Sequence, residues 1–173
     1  MNMKRILITL TAIAMFTIAS YAQKYAFVDT EYILENIPAY QAAQEQLNLL
    51  STQYQKELET VQNELEKMYT NFRAESVLLS DDMKRKREDV IVSKEKEFRN
   101  LQQKYFGREG DVFQKRQGLV KPIQDDIYNT VKEIASDGNY AVIFDMAGGV
   151  TMLYTDPKYN LSDQVLQKMG YKQ

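Results

Sequence analysis

The 173-residue chain contains no cysteine, no histidine and no tryptophan. Lack of cysteine excludes disulfides, thiolate metal sites and an acylated N-terminal cysteine, so packing alone must hold the fold. Lack of histidine removes the commonest general base and the commonest metal ligand. Glycine is scarce, at seven residues, and proline scarcer, at three. No glycine-rich phosphate loop is present; Gly148-Gly149 lies between two strand-like runs and reads as a hairpin turn. Carboxylates are plentiful but interleave with basic residues, as in Glu57, Glu59, Glu64, Glu66 and Lys67, the pattern of a solvated helical face. These absences speak against an enzyme and call for no cofactor and no metal.

Charge of one sign is also missing: 22 basic residues stand against 24 acidic ones, a formal charge of −2. That balance argues against general nucleic-acid binding, which needs a basic face to displace counterions. The local exception is Lys84, Arg85, Lys86 and Arg87, which Glu88 and Asp89 follow at once. Four consecutive residues point all round a helix, so this run reads as a solvated helix start. Its sharper reading is a candidate contact for anionic lipid or an acidic partner.

Long apolar runs are confined to the N-terminus. Lys4-Arg5 precede an apolar stretch from Ile6 to Ala19, and Ser20-Tyr21-Ala22 fits a small-x-small cleavage site. The stretch is shorter than the roughly 20 residues a spanning helix needs. Residues 1–22 are therefore expected to be a cleaved signal peptide, which places the mature chain in the periplasm of a double-membraned bacterium. Loss of Lys4 and Arg5 takes the formal charge from −2 to about −4.

What the chain has in abundance is helical heptads. From Ala39 to Val77 the apolar positions run Ala43, Leu47, Leu50, Tyr54, Leu58, Val61, Leu65, Met68 and Phe72. The steps alternate between three and four, with one extra four-step between Leu50 and Leu58 that relaxes a left-handed supercoil. Ala, Tyr and Met stand where a rigid zipper would use Ile and Leu, so the seam is soft. From Asp81 to Ala135 a second run is expected through Met83, Val90, Phe98, Leu101, Tyr105, Val112, Leu119, Ile123, Ile127, Val131 and Ile134, with Lys94 interrupting it. Leu78-Leu79-Ser80 separates the two, and Ser80, Asp81 and Asp82 cap the second helix. Gly107, Gly110, Gly118 and Pro122 cluster within the second run and form a candidate hinge. Fully helical, the two runs would reach about 57 Å and 80 Å. Neither seam can be buried in one globule, so the runs must fold back on each other as an antiparallel hairpin.

A small body closes the outer ends. Lys24 to Val28 alternates and reads as a strand; Asp29 or Thr30 caps a short helix, and Pro38 opens the long one. Gly138 is expected to end the second run in a left-handed cap. Tyr140 to Phe144 and Val150 to Tyr154 read as a β-hairpin, and Asn160 as the cap of a last helix with Asp163 as its capping-box partner. Three strands cannot bury Tyr25, Phe27, Tyr140, Val142, Phe144, Val150, Met152 and Tyr154 by themselves, so these are candidate oligomerisation residues. An odd cyclic oligomer would project several arms around a central space. The domain plan is then a body of residues 23–38 and 123–173 and an arm of residues 39–122 with its tip near 77–81. The fold class is α+β.

The run Ala26-Phe27-Val28-Asp29-Thr30-Glu31-Tyr32-Ile33-Leu34-Glu35-Asn36-Ile37-Pro38-Ala39-Tyr40 closely resembles the N-terminal signature of the Skp/OmpH-like periplasmic chaperones. Pro122-Ile123-Gln124 through Ile134-Ala135, Gly138 to Asp145, Leu153-Tyr154 and Asn160-Leu161-Ser162 resemble the family in the same order. The resemblance covers essentially the whole mature chain, with specific ends and a generic middle. It implies a jellyfish-shaped homotrimer whose coiled-coil arms surround a cavity. It further implies an ATP-independent holdase that keeps unfolded outer-membrane β-barrel proteins soluble for membrane assembly. Tyr69, Met68 and Met83 are candidate client contacts, adaptable side chains suited to alternating barrel strands. For Met68 and Met83, as for Tyr54 and Tyr105, seam spacing favours packing between helices, whereas Tyr69 lies beside the seam. The best-known members are strongly basic and this chain is acidic, so no lipid-binding site is carried over. A coiled-coil spacer that binds a folded envelope partner is the alternative; it would need stiff arms and one partner, whereas the soft seam and the glycines favour the chaperone.

Overall fold

A computed structural model describes residues 24–149 and 152–172. The expected signal segment and Val150 lie outside the described residues. The chain leads with strand β1 (Lys24–Val28), whose Ala26 and Val28 face the core. Helix α1 (Thr30–Glu35) follows, and the Asp29 side chain caps it by accepting the Tyr32 amide at 3.0 Å. Ile37 is held extended (φ −100, ψ 112), as the residue before a proline prefers, and Pro38 opens the next helix where its missing N–H costs nothing.

That helix, α2 (Pro38–Glu75), has 38 residues and a length of about 57 Å. A 3₁₀ turn at Ser76–Leu78 reverses the chain, and Ser80 caps α3 (Asp81–Phe106), its Oγ accepting the Met83 amide at 3.4 Å. The returning limb is not one helix, contrary to the heptad reading. It breaks after Phe106 and resumes as α4 (Asp111–Gly138). The break falls where the backbone approaches itself too closely for a side chain. A Cβ on Gly107 would collide with the Gln103 carbonyl oxygen, and one on Gly110 would lie 2.7 Å from the Lys104 oxygen. Gly118 and Pro122 behave differently, because α4 runs unbroken through both. A Cβ at Gly118 would meet nothing, and Pro122 is exposed on the solvent side of its helix. The residue in the left-handed conformation after α4 is Asn139 (φ 52, ψ 43), not Gly138. Gly138 must stay small because a Cβ there would strike the Tyr140 ring.

Strand β2 (Tyr140–Asp145) pairs with β1 in parallel, with Tyr25 opposite Val142 and Phe27 opposite Phe144. A parallel pair needs a long crossover, and here the crossover is the entire arm. The expected β-hairpin is corrected. Met152 to Tyr154 form no strand, and the second edge of β1 is taken instead by a bridge between Phe27 and Asn160. The Leu161 amide donates to the Phe27 carbonyl at 2.9 Å. Helix α5 (Ser162–Lys168) closes the chain, and Gly170 (φ 84) stops it. Asn160 does not sit at the cap position, which Leu161 occupies. Its Oδ1 accepts the Ser162 amide at 2.9 Å in an Asx turn. Asp163 closes no capping box; it accepts the Tyr32 hydroxyl at 2.9 Å and pairs with Lys172 at 2.7 Å.

The main core lies where these pieces meet: Ile33 and Ile37 around α1, Ile127 and Ile134 of α4, and Val165 and Leu166 of α5. Ile33, Ile37 and Val165 have no exposed surface, and each such burial is worth about 2 kcal/mol. A polar rim aligns the layers. Asp145 accepts the Thr30 amide at 3.2 Å and the Thr30 hydroxyl at 2.8 Å, and the Asp29 amide donates to buried Ser162 at 2.8 Å. Each bond contributes about 1 kcal/mol net. A smaller cluster of Ala43, Leu47 and Val120 roots the arm in the body.

Candidate functional site

The arm seam is shallow and polar ties cross it. On α3 the inward positions are Ile91, Lys94, Phe98, Leu101 and Tyr105, a regular alternation of three and four. Met83 and Val90, expected on this seam, are instead 51% and 55% exposed. Val90 stands eight residues before Phe98 and Ile91 stands seven, so the heptad itself selects Ile91. Lys94 does not interrupt the seam but occupies one of its slots. Its Nζ reaches across to Glu64 at 2.8 Å and along its own helix to Glu97 at 3.2 Å. Those hydrogen bonds hold the Lys94 ammonium more basic than usual, Glu64 contributing most, while the same contact pulls the Glu64 carboxyl down.

Further ties follow the same plan. Tyr69 donates its hydroxyl to Glu95 of α3, so this candidate client residue is bonded within the arm although its surface remains partly open. Met68 is half-buried at the edge of a shallow groove of about 460 Å³ that also includes Val90, Ser93 and the Glu64–Lys94 pair. Nearer the body, Tyr105 donates to Glu57 at 2.6 Å, and this bond is the main reason its phenol is pushed up to about 12. The reciprocal effect lowers the Glu57 carboxyl, with Gln53 adding to it. The heptad reading found Tyr54 and Tyr105 on the seam but missed Asp111 and Glu57 as their partners, and Lys94, paired with Glu64, as a member. The available signal was the coincidence of charged residues with seam spacing.

At the tip, Val77 and Leu78 are 85% and 86% exposed. The basic run beside them is largely neutralised: Lys86 pairs with Asp82 at 2.8 Å, Arg87 with Glu75 at 3.3 Å and Lys84 with Asp81 at 3.9 Å. Arg85 makes no ion pair among the described residues.

The body presents the other surface. One face of the sheet, with Ala26, Val28 and Ile143, covers the core, so the pairing turns Tyr25, Phe27, Val142 and Phe144 to the opposite face. Phe27 is nevertheless buried, while Tyr25, Val142, Phe144 and Tyr154 are exposed. Tyr25, Phe144 and Tyr154, together with Tyr140, border an open groove of about 910 Å³. Met152 is half-buried. The outer edge of β2 has no strand beside it among the described residues. No cluster of acidic side chains suited to a metal occurs among the described residues, and no helix among them is long and apolar enough to cross a membrane.

These features define a class: a soft-seamed helical arm carried on a small body with an aromatic open face, built to present surfaces. The family described as outer membrane protein (OmpH-like) matches residues 24–169. The chain belongs to that family. Among solved structures, an OmpH-like outer membrane chaperone from Caulobacter crescentus superposes with a TM-score of 0.64. The match has 12% identity and covers 87% of this chain and 86% of the other, so it speaks for the fold. No curated protein sequence matches the chain.

Proposed function

We propose that the protein is an ATP-independent periplasmic holdase that assembles as a homotrimer and binds unfolded outer-membrane β-barrel proteins in the space between its arms. The observation that carries this reading is the arm. A limb of about 57 Å is stitched by single carboxylate ties rather than a dry zipper, and so holds its shape weakly enough to adapt to a client. Family membership supports the chaperone role, and the open aromatic face beside the edge of β2, which no strand among the described residues covers, supports self-association through the body. A second copy laid there would cover Tyr25, Val142, Phe144 and Tyr154. Client contact falls to the arm surfaces, with Met68, Met83 and the open side of Tyr69 as its adaptable apolar points.

Light scattering on residues 23–173, alone and after dilution of a urea-unfolded outer-membrane barrel into it, tests the reading. A trimer mass that gains one client and keeps it in solution is expected. A defined oligomer that leaves the barrel to aggregate would favour a spacer that binds a folded partner. Because the chain is acidic, capture rests on apolar contact, and client affinity should change little between low and high salt.

A further inference from the structure

One tyrosine of α2 touches both sides of the break in the returning limb. The Tyr54 ring lies flat on Tyr105, in the last turn of α3, with centroids 3.9 Å apart and planes 1° from parallel. Its hydroxyl donates to Asp111, the first residue of α4, at 3.2 Å. Phe106 sets its edge against the same ring at 6.3 Å. Tyr105 is itself anchored to Glu57, one turn further along α2. Between the two held ends lie Gly107, Arg108, Glu109 and Gly110, outside either helix.

This break lies opposite the extra four-step of the α2 seam, between Leu50 and Leu58. A coiled-coil partner cannot follow such a phase shift as an unbroken helix without unwinding, and the short glycine-bounded turn absorbs it. One limb of the arm is therefore continuous here and the other is jointed. Bending concentrates at the joint unless something spans it, and Tyr54 is the side chain that does.

We propose that Gly107–Gly110 is the pivot of the distal arm and that Tyr54 is its latch. Seated on Tyr105 and bonded to Asp111, Tyr54 holds the distal segment, residues 55–106, in line with the proximal one. Unseated, it frees the distal segment to swing, which in the proposed trimer changes the width between arm tips. The device belongs to the arm alone and stands independently of which client the arms hold.

The chain lacks cysteine, so two introduced cysteines carry spin labels at defined places. Asn71→Cys on the distal arm and Gln124→Cys where α4 enters the body, diluted into excess unlabelled full-length mature chain, report the intrachain distance across the joint. The parent should give one narrow distance. Tyr54→Ala should broaden the distribution at least about two-fold with helicity retained, and Tyr54→Phe, which keeps the stack and loses the Asp111 bond, should lie between. Leu65→Ala, a truncation of the seam beyond the joint, should leave it narrow. Should Tyr54→Ala lose helicity, Tyr54→Phe decides alone, and a distribution as narrow as the parent's would refute the latch. A parent as broad as Tyr54→Ala, a Tyr54→Ala as narrow as the parent, or equal broadening by Leu65→Ala would each overturn the proposal.

Discussion

Body and arm are held together by different physics. In the body, residues from α1, α4, α5 and β1 converge until Ile33, Ile37, Val165 and Leu166 lose essentially all contact with water. In the arm beyond its root, two helices meet along one line, and among the described residues the large side chains buried there are those of Ile91 and Tyr105. A two-helix seam has solvent on both flanks, so its apolar residues stay half-open and polar groups can cross it at little desolvation cost. The contrast explains why the body can serve as an anchor and the arm as the adjustable part.

The largest expected effect comes from testing that contrast with one chemistry in two places. Leu166→Ala in the body should destabilise by about 3 kcal/mol, whereas Leu65→Ala in the arm should cost about 1 kcal/mol, because solvent already reaches Leu65. Urea unfolding of both variants checks this, and equal losses would erase the distinction between the regions.

A smaller effect is expected at Lys94. Lys94→Met places an apolar chain in a seam slot and removes a pair that is only partly exposed, 21% on the lysine side. The change should lie within about 0.5 kcal/mol of neutral, since Glu64 and Glu97 are half-exposed and stay hydrated without the lysine. Loss of arm helicity in this variant would show that the Glu64–Lys94 tie sets the register of the two helices.

The smallest effect is a local one with pH. The Glu57 and Glu64 carboxyls sit below their ordinary 4.5, so their contribution is complete above that value and fades as pH falls through the depressed values. Tyr105 is raised from 10.0 to about 12, so its contribution is complete below 10.0 and is lost as pH rises toward 12. The body core is apolar apart from the uncharged hydroxyl of buried Ser162. Hydrogen exchange at about pH 3.5 should therefore show arm amides near Glu57 and Glu64 opening before those of β1 and α5. Uniform loss across both regions would mean that the arm depends less on its carboxylates than the geometry indicates.

How far the sequence could be read also differs between the two regions. In the arm, the α2 seam, the Pro38 start, the reversal near Leu78 and the Ser80 cap are visible as spacing and cap chemistry within a few residues. On the α3 seam two valines and an isoleucine fall together at 90–92, and only strict heptad phase selects Ile91 over Val90. In the body, the alternation of Tyr140 to Phe144 marked a strand but not its partner. The nearest strand-like run in sequence, Val150 to Tyr154, suggested a hairpin, yet β1 from the far end of the chain pairs with β2. The candidate surface residues divided likewise: exposure of Tyr25, Val142, Phe144 and Tyr154 accords with a half-covered sheet, while burial of Phe27 follows from the bridge to Asn160 that no local pattern announces.

By itself, then, the sequence determined a long two-limbed helical arm, its caps and reversal, and a small apolar-rich body at its root. Each of these depends on residues within a turn or two of one another. Only the tertiary structure decided the parallel pairing of β1 with β2, the tie from Thr30 to Asp145 across 115 residues, and the Tyr54 contact that spans the broken limb. Local propensity is written in neighbouring residues, whereas a pairing between distant ones depends on which surfaces remain uncovered after the local elements have formed.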